Sequence, residues 1–125
     1  MSGIVLDAGA LIALDRNDRE LWSVLKLAAT SDVDVLVPST ALAQVWRGKP
    51  SQARLAQALQ FCVIASFDAL ARSIGELCGR VGTSDVCDAH VALVAAEADV
   101  LYTSDLADMR RLLATFRRQP VVIRC

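Results

Sequence analysis

Five short strand-like runs, mostly unbroken apolar residues, punctuate this chain: Ile4 to Leu6, Val33 to Val37, Cys62 to Ile64, Val100 to Tyr102 and Val121 to Ile123. Continuous apolar character, rather than alternation with polar residues, marks strands that are covered on both sides. Between them lie segments of helical composition, too long for hairpin turns. They run from Asp7 to Leu14, from Asn17-Asp18 to about Ala29, from Thr40 to Arg47, from Ser51 to Leu59, from Phe67 to Arg80, from Val86 to Ala98 and from Asp105 to Phe116. Strands alternating with helices require right-handed crossovers and a mainly parallel sheet with helices on both faces. The expectation is one three-layer α/β/α domain over residues 1–125, long enough to bury a real core.

Local signals refine the elements. Leu21, Trp22, Leu25 and Ala29 predict one apolar face of the second helix, and Leu70, Ile74, Leu77 and Cys78 that of the fifth. Pro38 stops the second strand, Ser39 suits an N-cap, and Gly48 with Pro50 closes the helix that follows. Gly79, Gly82, Thr83 and Ser84 predict a turn. The apolar fraction of 54% excludes a disordered chain. The longest apolar stretch, Val86 to Ala98, is interrupted by Asp88, His90 and Glu97, so no membrane span is expected. The N-terminus lacks a basic region followed by a long apolar segment, so no signal peptide is expected, and the location is read as cytoplasmic. Cys62, Cys78, Cys87 and Cys125 form no Cys-x-x-Cys pair and are read as reduced, mostly buried thiols. Cys87 and His90 have zinc-compatible spacing, but two ligands fall short of a site; a core thiol and a surface imidazole are expected.

Folds of this class place ligands beyond the carboxyl ends of their strands. Asp7 and Asp105 follow the first and fourth runs, and Asp88 falls in the first turn of the sixth helix, from which it can reach the same crevice. Asp85 reads as a helix cap, and Asp88 suits the helix dipole. Asp105 and Asp108 repeat that arrangement after Thr103-Ser104. Taken singly, Asp88, Asp105 and Asp108 fit capping as well as metal binding. Asp7, directly after a buried strand, has no capping need of comparable strength. Carboxylates gathered at one sheet edge repel each other, and a divalent cation offsets that repulsion. Hard oxygen ligands select Mg²⁺ or Mn²⁺, ions that support phosphodiester hydrolysis.

Four segments carry a family resemblance: Leu6-Asp7-Ala8-Gly9-Ala10-Leu11, Val37-Pro38-Ser39-Thr40-Ala41-Leu42-Ala43-Gln44-Val45-Trp46-Arg47, Asp85-Val86-Cys87-Asp88-Ala89-His90-Val91-Ala92 and Thr103-Ser104-Asp105. In order and spacing they resemble the successive motifs of PIN-domain proteins, above all the VapC toxins of bacterial toxin–antitoxin pairs. The resemblance implies a PIN-like fold in which Asp7, Asp88 and Asp105 are the catalytic, metal-binding carboxylates and Asp108 a further metal ligand beside them. Thr103 and Ser104 become the hydroxyl residues next to the site. The implied activity is Mg²⁺-dependent endonucleolytic cleavage of RNA, with Mn²⁺ able to substitute. The implied partners are a cognate VapB-like antitoxin covering the cleft and a second toxin copy in a homodimer.

One position departs from the family pattern. Gln44 stands where the second acid, a glutamate, is expected. An amide oxygen brings no negative charge and bridges two cations poorly, so metal affinity and activity should fall. Three readings stay open: a weakened nuclease, a catalytically silent PIN domain that binds RNA or an antitoxin, and a toxin altered to disarm it.

Net charge is −1, but eleven of the thirteen cations are arginine, whose planar fork suits phosphate. Arg47, Lys49 and some of Arg80, Arg110 and Arg111 are the expected RNA-binding rim; the common alternative for each is a solvated helix face. A phospho-acceptor signalling domain of similar architecture needs a lysine after a late strand, and the lysines here are Lys26 and Lys49. Neither glycine-rich phosphate motif of nucleotide-binding enzymes occurs.

Overall fold

Successive residues of a strand point to opposite faces, and in this chain both faces are apolar. In the computed structural model, which describes residues 3–125, β1 (Ile4–Leu6), β2 (Val35–Pro38), β3 (Val63–Ala65), β4 (Val100–Thr103) and β5 (Val121–Arg124) form one sheet in the order β3-β2-β1-β4-β5, every pair parallel. Met1 and Ser2 lie outside the described residues. Seven helices fill the connections: α1 (Ala8–Asp15), α2 (Arg19–Thr30), α3 (Ser39–Val45), α4 (Ala53–Leu59), α5 (Ala71–Val81), α6 (Val86–Ala95) and α7 (Leu106–Leu113). Two single 3₁₀ turns, Pro50–Gln52 and Asp68–Leu70, lead into α4 and α5.

The pleat sorts the core into two layers. Val5, Leu36 and Leu101 face one side, with Ile74, Leu77, Ala92, Met109 and Leu113 of α5, α6 and α7. Leu6, Val35 and Val37 face the other, with Leu11, Leu14, Leu21, Leu25 and Leu55 of α1, α2 and α4. This is the three-layer α/β/α arrangement expected, with every expected strand and helix present.

Several local expectations are corrected. The buried face of α2 is Leu21, Leu25 and Ala28, while Ala29 is exposed. Ser39 does not cap α3. Pro38 holds the cap position, and the Ser39 hydroxyl instead accepts from the Phe67 N–H at 3.1 Å, tying α3 to the turn before α5. The helix ends at Val45, where Gln52 closes it by accepting from the Arg47 N–H and donating to the Val45 carbonyl, both at 2.8 Å. Gly79 lies inside α5. The turn is made at Gly82, whose φ of +79° is a left-handed conformation that glycine adopts without strain. Of the four thiols only Cys78 is buried; Cys62 and Cys87 are half-buried and Cys125 is exposed. His90 is buried, not a surface imidazole.

The sheet order fixes where a ligand belongs. The chain moves outward from β1 to β2 and β3, then returns to add β4 and β5 on the other side. The direction of winding reverses between β1 and β4, and the crevice past their carboxyl ends is the expected binding position.

Candidate functional site

Three helices begin at that crevice, each capped by an aspartate. Asp7 follows β1, and its Oδ1 accepts from the Ala10 N–H at 2.9 Å. Asp85 Oδ1 accepts from the Asp88 N–H at 3.0 Å at the start of α6, and Asp105 Oδ1 accepts from the Asp108 N–H at 3.2 Å at the start of α7. The reading of Asp85 as a cap holds. Asp7, expected to have no strong capping role, is corrected: β1 passes into α1 with one residue between, so that residue must satisfy the exposed N–H groups of the helix.

Asp7 has a second task. Its Oδ2 accepts from the Thr103 hydroxyl at 2.5 Å and from the Ser104 N–H at 3.3 Å. The Thr103 hydroxyl in turn accepts from the Asp105 N–H at 2.9 Å. Asp7 and Thr103 are both buried, so this chain of hydrogen bonds locks the end of β1 to the end of β4 out of reach of water. Gly9 permits the approach. A Cβ there would lie 2.1 Å from Ser104 Oγ and 2.4 Å from its Cβ, so a side chain would force α1 and the loop after β4 apart.

Asp88 and Asp108 each sit three residues past a helix cap already made by Asp85 or Asp105, which leaves their own carboxylates without a capping role. Together with Asp105 they bring three carboxylate oxygens within 4.8 Å of one another. The helix N-termini of α6 and α7 offset some of the repulsion. The rest is visible as proton affinity. Asp88 is pushed up to about 7, first by burial, then by Asp85, Asp105 and Asp108. Asp108 is raised too, first by its hydrogen bond with Asp105 and by that residue's charge, with Arg111 opposing. Asp7 is not within the 4.8 Å set; it joins the centre through Thr103.

The donor set suits a small divalent cation. Ligand oxygens about 2.1 Å from an octahedral Mg²⁺ are separated by roughly 3 to 4 Å. Three carboxylate oxygens within 4.8 Å of one another stand close to that spacing.

Gln44 is exposed on α3, one helical turn beyond Thr40. Thr40 is hydrogen-bonded to His90 Nδ1 at 2.8 Å and so joins α3 to α6, the helix that carries Asp88. The His90 ring meets Phe67 edge-on at 5.6 Å, and its Nε2 has no partner of normal geometry. Burial pushes the imidazole down, against the Ser66 carbonyl, which favours the charged form. Buried this way, His90 spaces α3, α6 and the turn before α5.

The expected RNA rim divides. The Arg47 guanidinium donates to the carbonyls of Ala43 and Trp46, at 3.2 and 2.8 Å, and so closes its own helix. Lys49, Arg80, Arg110 and Arg111 are exposed. Arg118 is committed elsewhere, to Asp99 at 3.1 Å at the far end of β4. The tight Gly9 contact and the Thr40–His90 link went unseen in the sequence: a glycine in the first turn of a helix looks permissive until its neighbour is known.

Sheet order, switch point and acidic centre define a PIN-like α/β/α domain. No family model matches the sequence, and no curated protein does. Among solved structures the chain is similar to one in the crystal structure of VapBC2 from Rickettsia felis bound to a DNA fragment from their promoter. The two are 18% identical, with 100% of this chain and 99% of that chain covered and a TM-score of 0.69. Likeness at that level of identity establishes the shared fold.

Proposed function

We propose that the chain is a Mg²⁺-dependent endoribonuclease and the toxin of a toxin–antitoxin pair. The observation that carries this reading is the convergence of Asp88, Asp105 and Asp108 to within 4.8 Å at the switch-point crevice, next to buried Asp7. A bound Mg²⁺ would supply charge neutralisation for a phosphate and a more acidic water. Asp88, Asp105 and Asp108 would hold the ion. Asp105 is kept in place by its own cap bond and by the Thr103 hydroxyl behind it. Asp7 adds negative charge from behind, where its three donors hold it rigid. The exposed Ser104 hydroxyl is available to a phosphate oxygen, and Lys49 and Arg110 to the RNA backbone. Arg47 contributes less, because its guanidinium closes α3.

The solved neighbour is a VapBC pair on its promoter DNA. That likeness supports a VapB-like antitoxin as the partner; that it covers the acidic crevice, and that the toxin pairs with a second copy of itself, are proposed from the motif resemblance. The silent-domain reading is favoured by one observation, the neutral Gln44 at the family's glutamate position.

Mn²⁺ titration by calorimetry, paired with cleavage of single-stranded RNA, tests the proposal. Binding and cleavage are both expected, and both should be lost in Asp105→Asn. Metal binding with intact RNA would replace this reading by the silent domain.

A further inference from the structure

A second charged feature lies away from the acidic centre, between α2 and α4. Arg19, Trp22 and Lys26 recur at spacings of three and four, so they share one face of α2. Arg54, Gln57 and Phe61 follow the same spacing along α4 and the turn after it. The two stripes face each other across a cleft of about 670 Å³ whose lining holds three cations and no carboxylate. All three cations are exposed, and among the described residues the one side-chain ion pair is Arg118 with Asp99. In a chain with fourteen acids and thirteen cations, composition alone does not gather three unpaired cations around one hollow.

The uncharged part of the lining narrows the ligand. Phe61 is 45% exposed, and the Trp22 indole is fixed by donating its N–H to the Leu14 carbonyl at 2.9 Å. Cations set beside a fixed indole and an exposed phenyl ring match the alternation of phosphates and bases in an unpaired strand. An acidic peptide would use the cations and leave the aromatic faces idle. A second hollow lies between the cleft and the loop that carries Asp105. Arg16, just before the residues that line the cleft, borders this hollow of about 450 Å³, which is shared with Gly9 and Ser104.

We infer that the α2–α4 cleft binds the backbone of single-stranded RNA and leads it past Arg16 to the acidic centre. The inference rests on the nuclease reading. Its test is fluorescence anisotropy of a labelled single-stranded RNA in chelator, where nothing is cleaved. The full chain is compared with Arg19→Ala/Lys26→Ala/Arg54→Ala, with Lys26→Glu as a milder charge reversal and with Phe61→Ala. The triple variant should bind roughly tenfold or more weakly. Its dependence of log affinity on log salt should be shallower by about 2, at ~0.7 per lost phosphate contact. Lys26→Glu should weaken binding, and Phe61→Ala should weaken it several-fold with the salt dependence unchanged.

Unchanged affinity and salt slope in the triple variant and in Lys26→Glu would overturn the inference. So would a cleft that loses polyglutamate binding on triple substitution and keeps RNA. A chain that binds RNA through the cleft but never cuts it sinks the nuclease reading alone. A chain that cuts RNA while the triple variant keeps full affinity sinks the cleft alone.

Discussion

Thr103 does more at this centre than its sequence context suggests. Its one hydroxyl donates to the Asp7 carboxylate and accepts from the Asp105 N–H, in a position sealed from water. Thr103→Val keeps the shape and removes both bonds, leaving a buried carboxylate short of a donor. The expected cost is about 1–3 kcal/mol in urea unfolding, with most of it recovered in Thr103→Ser. Gln44 carries the opposite expectation. Gln44→Glu places a charge where the resemblance to PIN-domain proteins expects an acid and, on the proposed function, should raise both Mn²⁺ affinity in calorimetry and RNA cleavage. No gain in either would remove Gln44 from the site. The four aspartates could be picked out in the sequence because their residue type and their positions, after a strand for Asp7 and Asp105 and in the first turn of a helix for Asp88 and Asp108, are local facts. The division of labour among them could not, because it depends on which oxygen finds which donor.

At the scale of elements, the centre is a meeting of helix N-termini, and its tightest joint is α1 against the loop between β4 and α7. Gly→Ala inside a helix ordinarily stabilises by about 0.5–1 kcal/mol. Gly9→Ala should do the reverse, because its Cβ would sit 2.1 Å from Ser104 Oγ. A lower thermal midpoint together with weaker Mn²⁺ binding is the expected pair of results. A Gly9→Ala chain more stable than the parent would show that Ser104 moves away freely. Helical composition between strand runs located α1, α6 and α7, and the Asp-x-x-Asp spacing located the starts of α6 and α7. The end of α3 was misplaced by two residues, because it is set by Gln52 reaching back to Val45 and Arg47. The Ser39 cap failed for a similar reason: Phe67, distant in sequence, claimed the hydroxyl.

For the whole molecule, the acidic centre should appear as a pH-dependent cost. Without metal, the folded Asp88 titrates at about 7 instead of its ordinary 3.8. Below about pH 4 both folded and unfolded chains are protonated there. Between about 4 and 7 the folded chain alone keeps the proton, so stability falls as pH rises, and the loss is complete above 7. Urea midpoints in chelator should therefore drop across that window, and Asp88→Asn should flatten the drop; parallel profiles for the two would discount the crowding. Mn²⁺ should reverse the trend, since it replaces the proton. The rise in thermal midpoint at saturating metal should grow as pH passes 7, following the usual linkage of binding to stability. Strand and helix identity, the two apolar faces of the sheet and the acidic residues at its edge were determined by the sequence alone, because each depends on spacing within a few residues. Only the tertiary structure decided that α6 and α7 start side by side, that Asp7 is locked behind Thr103, and that cations of α2 and α4 share one cleft. Those outcomes are set by the order in which parallel strands pair and by which helices then pack together, and contacts between distant residues leave no periodic trace along the chain.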